Sequence, residues 1–202
     1  MKKLIMIALF AILGTNLMAQ REETIIGDAG WGFSGAWGGW NYNMGSFNKN
    51  YAGYQGGLWA LEFGKKFFVG GLHYTINNEP INNTANNFSL RSNNLLIGFT
   101  PIAYRPIHPI LSVAVGSSKL RATGESGEDA VLTLHPAAGL ELNVTRWCHI
   151  DAQVGYRIVS NSDFTKFTNS DFSGLYGQLN LKFGFSWGKY KSRSFKDKNN
   201  DR

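Results

Sequence analysis

Residues 132–144 read LTLHPAAGLELNV, and their reading decides the fold. One parity is Leu132, Leu134, Pro136, Ala138, Leu140, Leu142 and Val144. The other is Thr133, His135, Ala137, Gly139, Glu141 and Asn143. A period of two, apolar on one side and polar or small on the other, is a β-strand with two different environments. The pattern recurs downstream. Ile150, Ala152, Val154, Tyr156 and Ile158 oppose His149, Asp151, Gln153, Gly155 and Arg157. Then Leu175, Gly177, Leu179, Leu181, Phe183, Phe185 and Trp187 oppose Tyr176, Gln178, Asn180, Lys182, Gly184 and Ser186.

Upstream the alternation is noisier. Trp31, Phe33, Gly35 and Trp37 form the apolar parity of a first segment, and Trp59, Leu61 and Phe63 that of a second. Phe68, Gly70, Leu72, Tyr74 and Ile76 oppose Phe67, Val69, Gly71, His73 and Thr75 in a third. Leu95, Ile97 and Phe99 mark the fourth, and Leu111, Val113 and Val115 the fifth. Eight strands are expected in all. Longer polar loops are expected near Met44–Gln55, Asn77–Asn87, Thr123–Asp129 and Asn161–Asp171. Short turns are expected near Lys65-Lys66, Ala103–Ile107 and Thr145–Trp147. Long connections at one end and tight ones at the other describe an all-β, eight-stranded, antiparallel up-and-down transmembrane barrel.

A soluble barrel also alternates, with its apolar face inward. Three features favour the membrane. The apolar parity of the clean strands carries no charge, as lipid requires, since Arg or Lys at mid-bilayer costs about 2–4 kcal/mol. The opposite parity mixes glycine and alanine with Glu62, Glu141, Asp151, Arg157 and Lys182, which suits a narrow polar interior. Large aromatics gather near strand ends at Trp31, Phe63, Phe68, Tyr74, Tyr156 and Trp187, the positions of a membrane interface.

The chain is divided into a signal peptide at 1–19, a barrel at 20–187 and a basic, disordered tail at 188–202. Lys2-Lys3 precedes an apolar run, Leu4–Leu13, too short for the roughly 20 residues of a spanning helix, and cleavage is expected between Ala19 and Gln20. The formal charge of +6 is misleading. Setting aside Lys2, Lys3 and the tail leaves twelve residues of each sign between Gln20 and Trp187. The body is neutral, and nucleic acid is not an expected partner. A single cysteine, Cys148, allows no internal disulfide.

The segment from Gly27 to Trp187 resembles the small eight-stranded outer-membrane barrels typified by the OmpA transmembrane domain and OmpX. The resemblance rests on strand number, loop alternation and the closing Leu179, Leu181, Phe183, Phe185, Trp187 series. That series looks like the C-terminal signal read by the barrel-assembly machinery, although here a basic tail follows it. The Asn- and Gly-rich loops and the Ala19-Gln20 junction resemble Bacteroidetes outer-membrane proteins. The resemblance implies the bacterial outer membrane, with periplasmic termini, loops outside, and membrane lipid and the assembly machinery as partners.

Pairing strands six and seven across Thr145–Trp147 sets Glu141 opposite Asp151 and His135 opposite Arg157. With Lys182 at similar height, an interior charge cluster of Glu141, Asp151, Lys182, Arg157 and Glu62 is expected. It reads as a static plug rather than a gate. His73, His135 and His149 are expected in the lumen as hydrogen-bonded residues rather than metal ligands. One lipid A deacylase family carries a His-x-Ser pair on a strand, but Ala137 stands where that serine would be, so nucleophilic catalysis fails there. No catalytic, cofactor-binding or metal-binding residue is expected. The expected function is structural or surface-interacting, with a partner at the surface or in the periplasm. A narrow pore for small solutes and a lipid A-modifying enzyme are the alternatives.

Overall fold

The computed structural model describes residues 32–47, 50–77, 88–122, 127–163 and 168–186. The signal segment with Ala19 and Gln20, Trp31, Trp187, the tail and much of the three later loops lie outside them. The elements are β1 (Phe33–Phe47), β2 (Asn50–Phe63), β3 (Phe67–Asn77), β4 (Phe88–Phe99), β5 (Ile107–Ala122), β6 (Asp129–Asn143), β7 (Cys148–Ser160), a four-residue helix α1 (Asn169–Phe172) and β8 (Gly174–Ser186). Every strand pairs antiparallel with its sequence neighbour, and β8 pairs with β1, closing the barrel.

The register fixes the shape. Starting at Gly35, direct cross-strand partners run Glu62, Phe68, Gly98, Ser112, Ala137, Gly155 and Tyr176. Yet the direct partner of Gly35 on β8 is Ser186. The circuit therefore climbs ten residues along β8. Ten residue rises over eight strand spacings tilt the strands by about 40°.

Outward side chains form an apolar belt that includes Leu111, Val113, Leu132, Leu140, Val154, Leu179 and Phe183. Aromatic rings cluster where the strands meet the short turns: Phe33 on Phe63, Phe67 on Phe99 and Trp147 stacked on Phe183, with ring centroids 6.0, 4.6 and 6.0 Å apart. Tyr42, Tyr51 and Tyr156 project outward nearer the loop end. Aromatic girdles flanking an apolar band are the surface that a bilayer selects.

Three expectations fail in the first strands. Met44–Gln55 is not a loop: β1 and β2 pair from Phe33–Phe63 up to Phe47–Asn50. Buried Ala52 and Tyr54 alternate there with exposed Tyr51, Gly53 and Gln55, so the small and polar residues mark strand positions rather than a connection. In β1 the register shifts between Phe33 and Gly35, and such a bulge moves later side chains to the other face. Trp37 consequently lines the lumen with Asn41 and Lys182. In β3 the whole parity is reversed. Phe68, Leu72, Tyr74 and Ile76 are buried inside, while Val69 and His73 are exposed outside. The cause is the three-residue turn at Gly64–Lys66. Gly64 and Lys65 adopt φ of 57° and 56°, Phe63 pairs with Phe67, and Phe68 is thereby directed inward.

Candidate functional site

Among the described residues, the lumen is where the fold concentrates buried charge. β6, β7 and β8 bring three of the expected residues together. Lys182 Nζ donates to Glu141 Oε2 at 2.5 Å and lies 2.8 Å from Asp151 Oδ2. Glu141 and Asp151 are direct cross-strand partners, an arrangement that is repulsive without a cation between them. The ammonium also stands 4.7 Å from the Trp37 ring centroid and 5.8 Å from that of Phe68.

A polar chain extends from this triad. Gln153 Nε2 and Asn180 Nδ2 each donate to Asp151 Oδ1 at 2.7 Å. Ser112 Oγ donates to Gln153 Oε1 at 2.7 Å. Asn41 Nδ2 donates to Asn180 Oδ1, and Asn43 Nδ2 to Asn41 Oδ1. Two histidines flank Glu141 Oε1: His108 Nε2 at 3.6 Å and His149 Nδ1 at 3.4 Å. His149 Nδ1 also lies 2.5 Å from Asn143 Oδ1. His108 Nδ1 donates to the Arg105 carbonyl at 3.0 Å.

The other expected members sit elsewhere. Glu62 accepts hydrogen bonds from Ser34 Oγ at 3.0 Å and Ser186 Oγ at 2.7 Å, at the turn-end rim. It belongs to that rim rather than to the triad, because it is the β2 partner of Gly35 at the very end of β1. Arg157 also leaves the cluster. It lies six residues along β7 from Asp151, where alternation keeps it inward but far towards the loops. Of the expected lumen histidines, His149 and His135 face inward, and His73 faces outward with its Nδ1 2.8 Å from Asn93 Oδ1. The reversed β3 parity is the reason.

Arg157 is fully buried, at 0 % exposure, and no carboxylate pairs with it among the described residues. Its Nε donates to the Phe172 carbonyl at 2.7 Å, Nη2 to the Ser46 carbonyl at 2.6 Å and Nη1 to Tyr54 Oη at 3.3 Å. Its guanidinium carbon stacks 3.3 Å from the Phe47 ring centroid. The cation is thus held by backbone dipoles, a hydroxyl and a ring face. The same bonds draw α1 and the β1–β2 hairpin over the loop end. Below, Tyr74 Oη lies 3.0 Å from His135 Nε2, and Thr133, Asn94, Ser92 and Ser118 share hydrogen bonds.

Beside the triad, Leu58, Leu72, Leu96 and Ile110 pack into the bore around a cavity of only about 10 Å³. That is about the room for one water. The wider space, about 590 Å³, is a vestibule at the turn end bordered by Glu62, Tyr104, Arg146, His149 and Lys182. Among the described residues no group of three His, Cys, Asp or Glu side chains is placed to hold a metal ion.

A closed antiparallel barrel with an apolar exterior and a polar, charged interior belongs to one structural class, the membrane-spanning β-barrels. Within that class the chain has the fold of the small eight-stranded outer-membrane barrels. It is similar to neisserial surface protein A, with a TM-score of 0.56 and 12% identity over 76% of this chain and 96% of that one. It is similar also to the N-terminal β-barrel domain of OprF from Pseudomonas aeruginosa, with a TM-score of 0.50 and 12% identity over 76% and 99% of the two chains. No protein-family model matches the sequence, and neither does any curated protein.

Proposed function

We propose that this protein is a closed outer-membrane barrel with a structural or surface-interaction role and no catalytic one. In this reading the termini and the vestibule face the periplasm and the loop end faces outward. The observation that carries it is the filled bore. The Lys182–Glu141–Asp151 triad and the Arg157 cap obstruct the lumen at two heights, and the cavity beside the triad holds about 10 Å³. Eight strands enclose room for side chains and little else, so a solute pathway would need several buried groups to move together. Basal contacts with the barrel-assembly machinery belong to the same reading.

Planar-bilayer recording of the full chain tests it. No reproducible conductance is expected. A stable unitary conductance would overturn the closed reading and favour a pore. Mass spectra of lipid A from expressing cells are expected to be unchanged; a shift by an acyl chain would establish an enzyme instead.

A further inference from the structure

The apolar belt is not of even height. On β8 it runs outward from Phe185 to Leu175, which at the strand tilt covers about 25 Å of membrane normal. It reaches Ile158 on β7, Leu132 on β6 and Met44 on β1. On the opposite wall it stops early. The cross-strand row Gly71–Leu95–Val115 is the last apolar one across β3, β4 and β5. The next outward row is His73–Asn93–Ser117, and the one above is Thr75–Arg91–Lys119. On β2, Trp59 is followed by Gly57 and Gln55. With the stagger included, the apolar face on β2–β4 ends about 10 Å short of that on β6–β8.

The notch is polar and cationic. His73 and Asn93 are hydrogen-bonded to each other in an exposed position. A depression of about 340 Å³ lies beside them, floored by Gly57 and Gly71 and walled by Trp59. Arg91 stands directly opposite Lys119, and like charges in that position repel. Arg91 makes no ion pair among the described residues. Lys119 and Arg121 lie 3.9 and 2.5 Å from one carboxylate, Glu128. Among the described residues, three cations therefore share one anion just outside the His73–Asn93–Ser117 row.

Two neighbours could cover this surface. A second copy related by a twofold axis would set Arg91 and Lys119 against their own equivalents, so the charge disfavours it. A lipid fits both halves of the surface. We infer that the β2–β5 notch binds an anionic, phosphate-bearing membrane lipid. Its phosphate lies between Arg91 and Lys119, its glycerol and ester oxygens hydrogen-bond at His73 and Asn93, and its chains run down over Gly71, Leu95 and Val115. The phosphate removes the Arg91–Lys119 repulsion, and the glycerol-ester region satisfies polar atoms that hydrocarbon would strand. This rests on the membrane-spanning reading but not on a closed bore.

Native mass spectrometry of the full chain in micelles, titrated with phosphatidylglycerol or phosphatidylcholine, tests the site. One phosphatidylglycerol is expected to be retained in preference to phosphatidylcholine. Arg91→Gln with Lys119→Gln is expected to weaken retention roughly twenty-fivefold, at about fivefold per cation. Arg91→Lys and the turn-end control Arg105→Gln are expected to behave as wild type. Heat-modifiability on gels verifies the barrel in each variant, independently of lipid. Equal retention of both lipids by the wild type, undiminished retention in the double variant, equal loss in Arg105→Gln, or a dimer in place of a lipid adduct would each overturn the proposal.

Discussion

The ring of Phe68 lies over Gly98, its direct cross-strand partner on β4, in the place where a β-carbon would stand. The relationship explains a glycine in mid-strand, where lost conformational entropy usually disfavours it. It also anchors the inward face of β3, because Phe68 meets the edge of Trp37 at 5.3 Å on its other side.

Gly98→Ala should therefore overpack the lumen. A loss of about 1–3 kcal/mol is expected, read as a lowered midpoint in urea unfolding. Phe68→Leu in the same chain should recover part of it, because the shorter side chain vacates the space. Additive losses in the double variant would show that the two positions do not share it.

Lys182→Met should be among the most destabilising single changes. It leaves Glu141 and Asp151 facing each other in a buried layer, with Asp151 only 1 % exposed. Breaking a buried pair from one side costs about 3–5 kcal/mol. Adding Glu141→Gln and Asp151→Asn should restore much of the stability, because the uncompensated charge disappears. An unchanged thermal unfolding midpoint in Lys182→Met would refute the idea that the triad braces the barrel.

Arg157→Met keeps much of the side-chain volume but removes the donors to Phe172 and Ser46. Two carbonyls lose charged partners, each bond being worth about 1.5–3 kcal/mol. The effect should be local. Phe172, buried beneath the cap, should become a chymotrypsin cleavage site while the strands stay intact. Protection equal to wild type would mean that α1 is held by packing alone.

The strands differ in how well the sequence specifies them. β6, β7 and β8 carry charges and amides on one parity only, so polarity separates lumen from lipid and the Glu141–Asp151 pairing follows from the turn. In β1 and β3 both parities hold aromatics and glycines, and hydrophobicity cannot separate a packed lumen from a lipid face. The signal that could settle β3 is geometric: pairing Phe63 with Phe67 across a short turn forces Phe68 inward. His108 was reachable too, two steps back along the parity of Ser112 and Ile110. The Arg157 cap was not, because its partner Ser46 is 111 residues away in sequence and the bond goes to a backbone carbonyl, which no side-chain pattern encodes.

The two obstructions lie in series, and that has a consequence for conductance. Opening either alone leaves the other across the bore. Lys182→Ala with Glu141→Ala and Asp151→Ala should widen only the turn-end layer, and Arg157→Ala with Phe47→Ala only the loop-end layer. Each set should remain silent in planar bilayers. Combined with Leu58→Ala and Leu72→Ala, which thin the apolar middle, they should produce small channels. Side chains that fill the bore independently predict this thresholded response, because flow through closures in series is set by the tightest one. Conductance appearing with the triad replacement alone, in protein verified as folded by heat-modifiability, would place the only effective barrier at Lys182.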